Sequence, residues 1–198
     1  MSKSQRSFTL IELTVVAGII GLLAAVILAN YRGGERQSAL LRSTHQLAQD
    51  LRRCEEMAIS SQKTLPAFGE EVFPRGGYGI YFKIDPDAPK GYRIILFADC
   101  DGEGDYDNLP TARTCAEAQP ELGNSRDETI EALTLEEGVI IKTLSPSSPL
   151  SITFKPPDPE ISISGGDMAT ITLSLKDAPT ITRTITINKV GLIDTKKP

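Results

Sequence analysis

The sequence predicts an α+β protein: a long N-terminal helix packed on an antiparallel β-sheet or a two-sheet head. Three observations predict it. Phe8 to Ala29 holds 17 apolar residues in 22, enough for a helix that spans a bilayer or hides among other helices. Apolar residues then recur at helical spacing as far as about Ser60. From Gly77 onward, short alternating runs are punctuated by Pro and Gly, which is the pattern of antiparallel strands.

The 198 residues fit one domain, or one domain with an appendage. Their net charge is −5 and the sequence pI is near 5.0, against the basic footprint of a general nucleic-acid binder. Residues 1–7 are short, polar and basic. The next 22, FTLIELTVVAGIIGLLAAVILA, carry a single charge, Glu12. At about 1.5 Å per residue this run spans ~33 Å, the thickness of a bilayer core. Lys3 and Arg6 flank it on one side only, which places Met1 to Ser7 in the cytoplasm and everything after Asn30 outside. A secretory signal would have a shorter apolar region and a small-x-small cleavage site. A plain signal anchor explains the length but leaves Glu12 without a purpose, although a carboxylate in an apolar helix costs roughly 2.5–3.5 kcal/mol. Ala17, Gly21, Ala25 and Ala29 form a small-residue stripe at spacing four, which permits close helix approach.

Beyond Ala29 the pattern becomes amphipathic. Leu40, Leu47, Leu51, Cys54 and Ala58 follow one another at intervals of 7, 4, 3 and 4, one helical face. Arg42, Asp50, Arg53 and Glu56 largely face away from it. One helix is expected from Phe8 to about Ser60, on the order of 80 Å long. Gly33-Gly34 interrupts it as a hinge or a local kink, at about 1 kcal/mol per Gly.

Eight strands are expected: Tyr78–Ile84, Tyr92–Ala98, Thr129–Leu135, Val139–Leu144, Ser151–Lys155, Ile161–Ser164, Ala169–Leu175 and Ile181–Asn188. Among the Pro and Gly residues between them are Pro86, Pro89, Pro146, Pro149, Gly165, Gly166 and Pro179. The expected organisation is a leader at 1–7, a membrane or filament-core helix at 8–30, its amphipathic half at 31–62 and a β-rich head at 63–198.

The stretch Arg6-Ser7-Phe8-Thr9-Leu10-Ile11-Glu12-Leu13 resembles the processing and assembly motif of type IV pilins and type II secretion pseudopilins. The resemblance implies cleavage between Ser7 and Phe8 by a prepilin peptidase and methylation of the new Phe8 amine. Before the cut the family usually has Gly; Ser7 is small enough to fit. Glu12 stays in the mature chain, one turn from the new amine. In a filament a neighbour's amine can meet this carboxylate in a low-dielectric core, where pairing offsets both desolvation costs and sets the stagger. The implied partners are other pilins or pseudopilins, the peptidase and the inner membrane, with the head periplasmic or at the cell surface. ISSQ, RIILFADCDGEGDYD, ETIEALTLEEGVII and the stretch from ITFKPP to TITINKVGLI look like the H-type minor pseudopilins and their minor-pilin relatives, with Phe97, Asp99 and Gly191 the chief shared points. The function implied is a low-copy structural subunit of a secretion pseudopilus or a type IV pilus. The alternative is a minor pilin acting as a binding module in adhesion or DNA uptake.

Asp99, Asp101, Glu103, Asp105 and Asp107 place five carboxylates in nine residues. D-x-D-x-E-G resembles the opening of an EF-hand loop, though the twelfth position is Pro110 rather than a bidentate Glu. Some pseudopilins bind calcium in an acidic loop, so Ca²⁺ is the candidate ion; the other reading is a solvated acidic loop. Cys100 and Cys115 flank this segment. Three cysteines permit three single pairings; Cys100–Cys115 is favoured, with Cys54 a buried free thiol on the helix stripe.

Catalysis is not expected. The lone His45 has no companion ligand, and there is no G-x-S-x-G, H-E-x-x-H or Walker loop. No small-molecule substrate is implied. Loss of Lys3 and Arg6 takes the net charge from −5 to −7, which disfavours phosphate contacts, so no nucleic-acid partner is expected. Lys189, Lys196 and Lys197 form only a thin basic patch.

Overall fold

The computed structural model describes residues 9–63, 73–106, 115, 128–156 and 160–196. Its elements, in order, are helix α1 (Leu10–Ile59) and strands β1 (Gly77–Ile84), β2 (Tyr92–Asp99), β3 (Glu128–Leu133), β4 (Val139–Ser145), β5 (Leu150–Lys155), β6 (Glu160–Ile163), β7 (Met168–Leu175), β8 (Ala178–Asn188) and β9 (Ile193–Lys196). The chain divides into two units at Ser38/Ala39. The first contains the apolar part of α1. The second contains the rest of the helix and all nine strands.

Gly33 and Gly34 do not interrupt α1, which stays helical through both. A Cβ at either would meet nothing within 4 Å. The helix ends in a C-terminal cap. Ser61 adopts φ 47°, its N–H donates to the Ala58 carbonyl, and the Gln62 N–H donates to the Met57 carbonyl. This is the Schellman pattern, with Ser where Gly usually stands.

The expected stripe is the buried face of α1: Leu40, Leu47, Leu51, Cys54 and Ala58 are each at most 1% exposed. Ser43 and Thr44 are buried on the same face. Thr44 Oγ1 donates to the Leu40 carbonyl, and Ser43 Oγ accepts the Glu136 N–H at 3.0 Å. Arg42 and Arg53 do not simply face away. Each reaches across to the β3 region, Arg42 as a bidentate fork on Glu136 and Arg53 to Glu131.

Two antiparallel sheets share this core, ordered β3-β2-β1-β5-β6 and β4-β7-β8-β9. The register of β1 on β2 runs from Gly77↔Asp99 to Ile84↔Tyr92. Alternation then puts Tyr78, Ile80, Phe82, Ile94, Leu96, Leu150, Ile152 and Phe154 in the core. Ile171, Leu173, Ile185 and Ile187 join them from the second sheet.

All eight expected strands occur, with three differences. β3 stops at Leu133, because the Leu135 N–H turns to the Tyr92 hydroxyl instead of a neighbouring strand. Pro179 lies inside β8 rather than before it. Ser174 pairs with Thr182 but Leu175 with Ala178, so a bulge absorbs the proline, which has no N–H for the ladder. β9 was not expected; IDTK has a single apolar residue, and its pairing of Ile193 with Ile187 makes it a strand.

Candidate functional site

At the N-terminal site, Thr9 is the last non-helical residue and its carbonyl accepts the N–H groups of Glu12 and Leu13. The Glu12 N–H also lies 3.4 Å from Thr9 Oγ1. Thr9 is thus the N-cap, and Thr9-Leu10-Ile11-Glu12 follows the capping-box pattern. That signal is legible in the sequence. Ser7 and Phe8, the expected cleavage and methylation positions, lie outside the described residues. The Glu12 carboxylate has no partner among the described residues.

Downstream of the cap, Leu10–Ile27 is long and apolar enough to cross a membrane, and none of those residues is buried. Leu10 is 83% exposed and Leu22 67%. So much apolar surface is stable only against lipid or other apolar helices.

The acidic segment is buried at its start and exposed further on. Asp99 is 1% exposed at the end of β2, with Oδ1 accepting the Gly102 N–H at 2.6 Å and Oδ2 the Gly104 N–H at 3.0 Å. Asp101 Oδ1 accepts the Glu103 N–H at 3.0 Å, while its Oδ2 is buried without a hydrogen-bond partner among the described residues. Burial pushes Asp99 up to about 6; the adjoining Asp101 adds to this, and the two N–H donors oppose it. Glu103 and Asp105 face solvent, and Asp107 lies outside the described residues. Among the described residues no three His, Cys, Asp or Glu side chains are placed to hold a metal. Of the four described carboxylates of this segment, Asp99 and Asp101 accept N–H groups of a backbone turn and Glu103 and Asp105 face solvent.

That turn covers the outer face of the first sheet. Gly104 packs beside Ser162 and Thr153. The Tyr106 N–H donates to Ser151 Oγ, and its ring lies 5.1 Å from Phe97 and 5.0 Å from Tyr81. Cys100 and Cys115 are joined in a disulfide, as favoured, and Cys54 is a buried free thiol. Sequence reading missed Gly76, whose N–H donates to the Asp99 carbonyl at 2.9 Å, and Tyr106; both roles depend on long-range contacts. Lys189 and Lys196 are ion-paired with Asp167 and Asp194 at 2.5 and 3.2 Å.

Residues 2–28 match the prokaryotic N-terminal methylation motif. This motif supports a type IV pilin-like protein. Such a motif implies processing by the prepilin peptidase, assembly with other pilins and membrane anchoring by the N-terminal helix. No curated protein and no solved structure matches the chain.

Proposed function

We propose that the chain is a low-copy structural subunit, a minor pseudopilin or minor pilin of the H type, in a type II secretion pseudopilus or a type IV pilus. The peptidase cuts between Ser7 and Phe8, the Phe8 amine is methylated, and the head lies outside the cytoplasm. In the assembled state Glu12 pairs with a neighbour's N-terminal amine. The observation that carries this reading is the methylation motif continuing into a helix with no buried residue from Leu10 to Ile27, in a chain whose second unit has its own core. The helix needs a second apolar environment, and a filament of like helices supplies one.

The proposal assigns no catalytic role and requires no metal. A binding module for adhesion or DNA uptake is the other reading. Counter-charges on Lys189 and Lys196 weigh against phosphate recognition at the C-terminus.

N-terminal sequencing and mass spectrometry of the protein from its native envelope test the reading. The expected mature chain starts at methylated Phe8. A chain beginning at Met1, or one lacking the apolar segment, overturns it.

A further inference from the structure

Asp101-Gly102 is the single Asp–Gly step in the sequence, and no Asn–Gly step occurs. In such a step the glycine nitrogen can attack the side-chain carboxylic acid of the aspartate before it, because no Cβ on the glycine screens the approach. A bond forms between that nitrogen and Cγ, and the bond from Cγ to the acid's hydroxyl breaks. The nitrogen's proton joins the departing hydroxyl as water. Water then opens the succinimide ring at one of its two carbonyls. One opening restores aspartate; the other leaves isoaspartate, in which the backbone runs through the side chain. Water is the only co-reactant.

Exposure alone would leave this step reactive, since Gly102 and Glu103 are both exposed at the tip of the turn after β2. The hydrogen bonds of the turn close it. The Gly102 N–H points inward and donates to Asp99 Oδ1 at 2.6 Å, so the attacking nitrogen is committed to a carboxylate other than its target. Asp101 Oδ1 accepts the Glu103 N–H at 3.0 Å, and Asp101 Oδ2 is buried. The target carboxyl is therefore held at both oxygens, one by a bond and one by burial. Ring closure needs the nitrogen and the carbon aligned for attack, and here each is tied elsewhere.

Asp99 is itself fixed in place. It is 1% exposed, its Oδ2 accepts the Gly104 N–H at 3.0 Å, and its carbonyl accepts the Gly76 N–H at 2.9 Å. Between Asp99 and Asp101, Cys100 is anchored by its disulfide to Cys115.

We infer that Asp101-Gly102 is a self-modification site kept latent by Asp99: the folded turn closes the step, and loss of the Gly102–Asp99 bond lets succinimide and isoaspartate form. Isoaspartate adds a backbone atom to the turn that sets Tyr106 against Phe97, so an opening of the turn is recorded covalently.

The test incubates the full-length, detergent-solubilised chain near neutral pH with its disulfide intact. Residue 101 is followed by peptide mass spectrometry with isoaspartate-specific fragmentation. Wild type is compared folded and unfolded in guanidinium chloride, beside Asp99→Ala and Asp99→Asn, each checked for folding by circular dichroism. Isoaspartate, and the species lighter by one water, should form at least tenfold more slowly in folded wild type than in the unfolded chain. Folded Asp99→Ala, which gives up both N–H bonds, should recover most of the unfolded rate. Asp99→Asn keeps one acceptor oxygen and should fall between; if Asp99→Ala does not fold, this near-isosteric variant decides. Folded wild type that isomerises as fast as the unfolded chain, or faster, overturns the latency. Folded Asp99 variants as slow as wild type overturn the part given to Asp99.

Discussion

A side chain at Gly76 would occupy the space of the Asp99 carboxylate: an ideal Cβ there overlaps it directly. The Gly76 N–H donates to the Asp99 carbonyl at 2.9 Å, so the contact is fixed at backbone level. Gly76→Ala should cost about 1–3 kcal/mol, because neither the turn nor the buried carboxylate can retreat. Thermal unfolding of the detergent-solubilised chain measures this. An unchanged midpoint would show that the turn yields.

Asp99 titrates near 6 in the folded protein against 3.8 for the ordinary side chain, chiefly through burial. The folded state therefore holds this proton more tightly than the unfolded state. The resulting stability is fully present below about pH 4 and is lost as pH rises through 6, by at most about 3 kcal/mol. Asp50 is raised in the same direction by burial. Glu136 is lowered by its hydrogen bond from Arg42, so its contribution is present above the ordinary Glu range and lost as pH falls below it. Stability should peak near pH 5, and Asp99→Asn should flatten the decline between pH 5 and 7. A melting temperature that rises over that interval would contradict the assignment.

Ser61 closes α1 with a left-handed backbone that costs an L-residue roughly 1–2 kcal/mol. Ser61→Gly should relieve most of that strain, offset by the added freedom of Gly in the unfolded chain. The net expectation is a gain of about 0.5–1 kcal/mol, read from denaturant midpoints at constant slope.

The Cys100–Cys115 bond closes a separation of 15 residues. In the chain-entropy model its removal by the double change Cys100→Ser, Cys115→Ser costs about 3 kcal/mol. The difference from wild type should vanish when both are melted under reductant. A persistent difference would assign the loss to serine packing instead.

Glu12→Ala should leave a processed, membrane-inserted chain that fails to enter filaments. Glu12→Gln keeps a residue suited to the third position of the capping box but removes the charge, so it separates helix capping from inter-subunit pairing. Normal co-purification of both variants with other subunits would remove Glu12 from the assembly mechanism.

The parts of this protein legible in one dimension are those whose cause is local. An apolar run of bilayer length, a helical stripe from Leu40 to Ala58 and eight alternating segments each declare themselves within a few residues. Glu12 stood out because a charge in that run needs a reason. β9 carried too little apolar signal, and Pro179 read as a terminator because its N–H deficit matters only where a ladder needs the donor.

By itself the sequence determined the apolar helix with its processing motif, the α+β class and the strands, since hydrophobic periodicity and turn residues act over short spans. Only the tertiary structure decided that Asp99 is buried, that Gly76 must lack a side chain and that Tyr106 roofs Phe97. The physical reason is distance along the chain: each of those facts arises where segments 9 to 45 residues apart are brought together by strand register, and register is chosen by the whole core at once.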